Sequence, residues 1–479
     1  MAVGEINIIG GSNYGISNIL DNQRLINMLV HTDAVTKNNV LIPTAGLTLK
    51  NTLPEGKNCR LLYAGEQNGE KYLYVVSGSV VYIYDSSFIL TKLGDIGTAS
   101  GYIAAKSNNS NQTIFVDGNK GYSHNRNTGV FEEITADAFP ISPTDVDFKD
   151  GFTIVVEGDS NKFVISANND LTTYNAFDEE PFDQRPDTLI AVRVLKQSIF
   201  LFGKKFTEIW ENQGGKDFPF VPNRVQAMEY GCIAKDSIAT TSGYIIWLAQ
   251  DENGVLSFMI SEGDRAISIT PKSLQKLLTS YKNIAEASAF MYSENGHSLY
   301  EVSFDNNTWV FDITESSLKD GIFTWSEKEA LTGGRNIAQH HAFFNGEDIV
   351  GDYRSGNLYV IDEKNHTNNN EKIKRTRIST TFSIKDESYI RVNSIELSCK
   401  EGLDFINKRA IPAYLSLSKD RGINYSNKIP GGLGKTGKYK NKTIWRNAGV
   451  AQYWTFKIEY FGLGDFMIDK LLVGYDILK

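Results

Sequence analysis

Tyr72-Leu73-Tyr74-Val75-Val76, then Ser77-Gly78-Ser79, then Val80-Val81-Tyr82-Ile83-Tyr84 is a pair of short apolar and aromatic runs folded about a glycine. β-Branched and aromatic side chains fit a pleated, half-buried surface, and glycine reaches the positive φ of a tight turn, so this stretch predicts a β-hairpin. The pattern returns six times: Thr113–Val116 with Gly121–Tyr122, Phe152–Val156 with Lys162–Ile165, Ser198–Phe202 with Thr207–Trp210, Tyr244–Leu248 with Val255–Met259, Ser298–Phe304 with Thr308–Phe311, and Asp348–Val350 with Asn357–Ile361. The hairpins recur every 40 to 55 residues or so, roughly the interval of four-stranded propeller blades. One blade cannot bury both of its faces, whereas a ring of blades buries each face against a neighbour. The expected fold is therefore all-β: a degenerate β-propeller, seven-bladed, with six blades as the alternative because the second unit is weakly apolar.

The flanks differ from the repeats. Residues 1–58 are expected to join the propeller, which spans 59–365. Asn365-His366-Thr367-Asn368-Asn369-Asn370 opens a polar, low-complexity stretch that reads as a linker or exposed loop. Longer alternating runs follow at Thr376–Ile384, Arg391–Leu397, Ala413–Leu417, Tyr453–Tyr460 and Lys470–Tyr475, and predict a C-terminal antiparallel β-sandwich over 366–479. One segment has helical spacing, with Leu274, Leu277, Leu278 and Tyr281 on a single face, and is expected to pack against the ring between blades.

Composition narrows the function classes. With 49 basic and 57 acidic residues the net charge is −8, which gives no general footprint for nucleic acid. The cluster Lys372, Lys374, Arg375 and Arg377, with Lys435, Lys438, Lys440 and Lys442 beyond, reads as a solvated basic surface. Cys59, Cys232 and Cys399 stand far apart, without metal-ligand spacing or a disulfide framework, as suits synthesis in a reducing cytoplasm. The N-terminus lacks the basic and apolar regions of a signal peptide, and no apolar run is long enough to cross a membrane as a helix.

No HExxH, GxSxG, Walker loop, dinucleotide fingerprint or EF-hand loop occurs in the chain. His340-His341 would point to opposite faces of a strand, so the pair does not make a metal site. Asp251–Gly254 and Asp305–Asn307 resemble pieces of calcium loops but lack the spaced ligands, and read as hairpin turns. Asp178-Glu179-Glu180 with Asp183 reads as a solvated inter-blade loop and not as a glycosidase pair. Ser418-Lys419-Asp420-Arg421-Gly422 resembles the Asp-box hairpin of sialidase propellers, in a single copy outside the repeats. No catalytic, cofactor-binding or metal-binding residue is therefore expected.

Several ordered segments resemble the tail accessory factors of podoviruses, also called packaged-DNA stabilisation proteins. Arg24-Leu25-Ile26-Asn27-Met28-Leu29 followed by Pro43-Thr44-Ala45-Gly46-Leu47 is similar to the opening of that family. Tyr174, Arg185-Pro186-Asp187, Phe202-Gly203 and Thr207-Glu208-Ile209-Trp210 resemble its central passage, with Tyr174 where tryptophan is common. Asp420–Tyr425 and Ile444–Gly449 are similar to its close. The resemblance implies a non-enzymatic virion protein, assembled in the host cytoplasm as a ring of itself, expected to be hexameric, below the portal and adaptor proteins. There it extends the DNA channel, helps retain packaged DNA through non-specific contact, and docks tail fibres or tailspikes and a tail plug or needle, without membrane insertion. Contact surfaces are expected in the loops 178–185, 213–224 and 364–374. The alternatives are a glycan-binding or sialidase-like propeller protein, which the Asp-box-like turn would favour, and a generic protein-binding propeller.

Overall fold

The computed structural model describes residues 2–13, 22–182, 184–215, 218–223, 227–241, 243–263, 265–384, 386–400, 411–434 and 442–478. Among them, seven antiparallel units follow one another, each with a path of four strands, the fifth carrying Ala239–Thr240 as an extra short strand. The first is Cys59–Gln67, Glu70–Ser77, Val80–Tyr84 and Leu90–Asp95, in that sheet order. Units two to six span 104–133, 143–181, 189–222, 231–268 and 288–328. The first strands of units one to three pack side by side, as do those of units three and four, and Ala338–Phe344 of unit seven packs back on Cys59–Gln67 of unit one, so the ring closes. In unit seven Ala338–Phe344, Glu347–Asp352 and Asn357–Asp362 take their fourth strand from the N-terminal side: Gly46–Thr52 pairs antiparallel with Asn357–Asp362. The ring is thus shut by main-chain hydrogen bonds between segments some three hundred residues apart, roughly as a single sheet is held.

The core is divided accordingly. Each pair of neighbouring units shares one cluster of buried side chains; Tyr72, Tyr74 and Val76 of unit one meet Ile103, Phe115 and Tyr122 of unit two, for example. The short helix Lys272–Leu278 buries Leu274 and Leu278 in the cluster between units five and six, as its spacing predicted. An eighth cluster fills the C-terminal sandwich, from Ile390, Ile395, Trp454, Phe456 and Tyr460 among others.

One layer of the sandwich contains Ile468–Leu478, Tyr389–Cys399 and Thr443–Ala451; the other contains Arg375–Ile378, Thr455–Tyr460 and Ala413–Ser418. The N-terminal strands divide between the domains, where a single segment joining the propeller was expected. Ala2–Ile6 and the hairpin of Met28–Thr32 with Asn39–Pro43 enter the first sandwich layer, whereas Gly46–Thr52 completes unit seven and Arg24–Ile26 pairs with the outer strand of unit six. The reason is alternation along the strand. Met28, Val30 and Leu41 face the sandwich core, while Leu29, Val40 and Ile42 face the cluster between units six and seven. The hairpin is a wall shared by both domains.

Two other expectations change. Asp178-Glu179-Glu180 is no loop but part of the outer strand Asp170–Pro181, where Phe163 pairs with Glu180 and Lys162 Nζ stands 2.8 Å from Glu179 Oε1. Asp183 lies outside the described residues. The stretch after Asn365 does not hang free: Thr367–Asn368 and Glu371–Lys372 form a small hairpin, and Asn368 pairs with Leu47 of the closing strand.

Ring closure rests on a close approach. A Cβ built on Gly351 would stand 2.4 Å from Cys59 Cβ and 2.4 Å from its sulfur. Gly351→Ala is expected to destabilise the chain by about 1–3 kcal/mol through overpacking at the closing interface, read as a lower urea midpoint.

A second prediction concerns the first blade interface. His124 Nδ1 stands 2.7 Å from the Tyr74 hydroxyl, and burial, with Arg126 nearby, lowers the imidazole from 6.5 to about 4. The folded state therefore resists its protonation: the stability is present above the unfolded value and is lost as pH falls from 6.5 toward 4. Urea midpoints should decline across that window, and His124→Gln should flatten the decline.

Candidate functional site at the propeller axis and the domain junction

A propeller offers its axis as a natural cavity. Here the first strands enclose about 250 Å³ lined by Tyr63, Lys106, Asp147, Arg193, Asp236 and His340, among others. The charges in it are spent on one another. Lys106 Nζ lies 2.6 Å from Asp147 Oδ1, and Arg193 Nη1 lies 2.5 Å from Asp145 Oδ2. Tyr102 donates to Asp145 at 3.0 Å and accepts from Arg193 Nη2 at 2.9 Å. Burial works against the Arg193 charge, but Asp145 and its neighbours outweigh it and hold the guanidinium above its ordinary value. Asp236 is pushed up by burial and His340 is pushed down by burial; the two stand 3.7 Å apart. These interlocked ions pin adjacent blades at the axis, and they leave little basis for binding a charged ligand there.

The second candidate is the domain junction. The outer strand of unit six, Ile322–Lys328, is extended by Arg24–Ile26, which pairs parallel to it at Glu327. Arg24–Ile26 pairs antiparallel with Arg375–Ile378, which continues through Thr455–Tyr460 and Ala413–Ser418. One nine-stranded sheet therefore runs from a propeller blade into the sandwich.

The first family-like motif lies on this splice. Asn27 holds a positive φ of 55° and carries the chain from one sheet into the next. Its Nδ2 donates to the Glu329 carbonyl at 3.0 Å and the Lys374 carbonyl at 2.8 Å, and its Oδ1 accepts from Glu329 N at 3.1 Å. Asparagine suits the position because it tolerates the left-handed region and offers both donor and acceptor. Arg24 grips the same blade edge: Nη2 lies 2.5 Å from Glu327 Oε2 and 2.5 Å from Glu329 Oε1. Gly46 follows from close approach, since a Cβ there would stand 2.4 Å from the Thr367 carbonyl oxygen. Beside it Ala45 N donates to Glu294 Oε1 at 2.7 Å, and buried Lys328 lies 3.2 Å from Glu301 and 3.7 Å from Glu294.

The basic cluster read as solvated is corrected at two positions. Arg375 and Arg377 are fully buried, whereas Lys372 is exposed and Lys374 half-buried; Lys435, Lys438 and Lys440 lie outside the described residues. Arg377 Nε donates to the Ile8 carbonyl at 2.5 Å and Nη2 to Gln23 Oε1 at 2.5 Å, tying the N-terminal segment to the junction. Arg375 Nη1 donates to the Gly462 carbonyl at 3.3 Å, and burial lowers its guanidinium to about 10. A guanidinium has five donors in a fixed fork, so it can be buried among carbonyl oxygens where lysine could not.

The other motif residues also have structural work. Glu208 is buried, accepting from Trp210 Nε1 at 2.9 Å and from Gln184 N at 2.8 Å, and Asp187 Oδ2 accepts from the Lys205 and Phe206 amides at 2.6 and 3.1 Å. Asp420 Oδ1 caps a turn, accepting from Ser418 Oγ at 2.7 Å and Asn424 N at 2.9 Å. His340 and His341 part company: a bulge falls between Gln339 and His341, and His341 Nε2 turns to Asp348 at 2.8 Å. Asp251 accepts from the Asn253 and Val255 amides as a hairpin turn does. What the sequence missed is a cluster at the junction, His31, His297 and Glu315, whose members come from distant strands.

A propeller spliced to a sandwich, with polar groups buried in its joints, makes a two-domain all-β protein. The family model described as bacteriophage P22 Gp10, beta-propeller, matches residues 6–366, and the one described as bacteriophage P22 Gp10, beta-sandwich, matches 375–473. The chain belongs to the bacteriophage P22 Gp10 family, and is a structural phage protein and virion component. No curated protein sequence matches it. Among solved structures, a catalytically inactive virginiamycin B lyase from Staphylococcus aureus with quinupristin is similar at 10% identity, TM-score 0.44, covering 66% of this chain and 98% of that one. The computationally designed Ika8 protein is similar at 10% identity, TM-score 0.39, covering 66% and 99%, and a chain of the mitotic checkpoint complex at 9% identity, TM-score 0.43, covering 67% and 96%. These likenesses say nothing of activity.

The splice makes a testable demand on Asn27. Asn27→Asp would set a carboxylate against two carbonyl oxygens, and is expected to cost more than Asn27→Gly, which keeps the backbone conformation and loses only the bridges, at about 1–3 kcal/mol. Urea unfolding at neutral pH compares the two.

Proposed function

We propose that the chain is the tail hub of a short-tailed phage: a non-enzymatic subunit that forms a ring, hexameric in this reading, below the portal and adaptor. The ring extends the DNA channel, helps retain packaged DNA and docks fibres or spikes and the plug. The observation that carries the proposal is the family match over both domains in order. The spliced sheet supports it, because a subunit that transmits load between neighbours needs its two domains at a fixed angle. The axial cavity holds only about 250 Å³ and its charges pair with one another, so in this reading the DNA channel lies between copies and not along a propeller axis. Docking surfaces would be the loops 178–185, 213–224 and 364–374, of which residues 183, 216, 217 and 224 lie outside the described residues.

The test mixes the purified chain with a portal–adaptor complex and measures the mass of the product. A closed ring with one fixed copy number is the expected result. A monomer at every concentration, with no affinity for any portal or adaptor complex, would overturn the proposal.

A further inference from the structure

The junction contains a group of side chains that the hub reading does not use. His31 stands on Met28–Thr32, on the face that also turns Leu29 toward the propeller. Its Nδ1 lies 3.0 Å from Nε2 of His297, which begins the second strand of unit six. Glu315, on the third strand of that unit, completes the group, and the three ligand atoms all lie within 4.8 Å of one another.

The surroundings are those of a ligand set. His297 Nδ1 is 2.7 Å from Asp312 Oδ2, so its N–H is committed there and the Nε2 lone pair faces His31. A carboxylate behind a metal-binding histidine fixes the tautomer and raises the basicity of the other nitrogen. Asp312 is itself held, accepting from the amides of Thr314 at 3.0 Å and Glu315 at 3.1 Å. Glu315 is oriented from the opposite domain: Thr32 N donates to Oε1 at 3.0 Å and Thr32 Oγ1 to Oε2 at 2.5 Å. Each carboxylate oxygen keeps a second lone pair. Asp312 and Glu315 bring two negative charges, and a dication would neutralise both.

We infer that His31, His297 and Glu315 bind a divalent transition metal of the zinc type, which clamps the sandwich wall to blade six. Two imidazoles and one carboxylate suit Zn²⁺ or Co²⁺ over Mg²⁺ or Ca²⁺, which prefer oxygen ligands. On a tetrahedral ion with bonds near 2.0–2.1 Å, two nitrogens stand about 3.3 Å apart, so the His31–His297 spacing needs to open by only a few tenths of an ångström. His31 also lines a cavity of about 470 Å³ with Asn295, Glu363, His366 and Asp465, so solvent space lies beside one of the three ligands. The role is structural: His31 belongs to the sandwich layer and the other two ligands to the propeller, so the ion ties the domains directly.

The test uses the full chain, stripped of metal with a chelator and titrated with Co²⁺. One equivalent is expected to bind and give the intense visible absorption of tetrahedral cobalt, which Zn²⁺ then removes. Thermal unfolding should move upward with metal and return with chelator. Glu315→Gln, which still accepts from Thr32, and His31→Ala, at a half-buried position, should each weaken cobalt binding at least tenfold while their metal-free melting stays near that of the parent. His341→Gln, which removes an imidazole paired with Asp348 elsewhere, should leave binding unchanged. Absence of the cobalt signal at millimolar metal, or binding that Glu315→Gln and His31→Ala do not alter, would overturn the inference and leave a proton-bridged histidine pair.

Discussion

The two domains meet on the strand Arg24–Ile26, where Ile26 pairs with Glu327 of a propeller blade on one side and all three residues pair with a sandwich strand on the other. The outer strand of a blade is an edge, with a row of unpaired amides and carbonyls that invites pairing. Unit six gives its edge to Arg24–Ile26, and the sheet continues without a break into the second domain. Domains joined only by a linker keep their relative motion; domains joined through one ladder give it up, because hinging would break the main-chain bonds. The buried guanidiniums of Arg375 and Arg377 and the amide of Asn27 fasten the same place with directional bonds.

The polar interior has one logic at the axis and at the junction. Charged side chains enter the protein where several strands converge, and they bring their counter-charges with them, as Lys106 does with Asp147 and Lys328 with Glu301. Such pairs add little net stability compared with apolar packing, but they hold a particular register, since a shifted strand would leave a buried charge alone. In the tail-hub role proposed above, register and angle are the properties that matter. The same economy describes the residues on which the sequence resemblance rested, which are joints: Asn27 and Gly46 at the splice, Asp187 and Glu208 at the corner of unit four, and Asp420 at a sandwich turn.

The β class, the seven hairpins and the family were legible in the residue pattern alone. Each hairpin it revealed is the second and third strand of a unit, because those strands are buried on both faces and so read as continuous apolar runs. The first and fourth strands were silent. Ala104–Ser107 meets the axis with small and polar residues, and Leu90–Asp95 lies at the rim with no buried residue, so neither carries a period of two. The placement of the N-terminal strands and the burial of particular charges follow from long-range packing. Met28-Leu29-Val30 is apolar at every position because two different domains cover its two faces, a fact no local pattern contains. Arg375 and Arg377 look like surface residues until distant carbonyl groups surround them, and His31 meets His297 only because two sheets remote in sequence are pressed together. Local chemistry writes hairpins into the chain, but partners are set by the closing of the ring and the splice of its sheet.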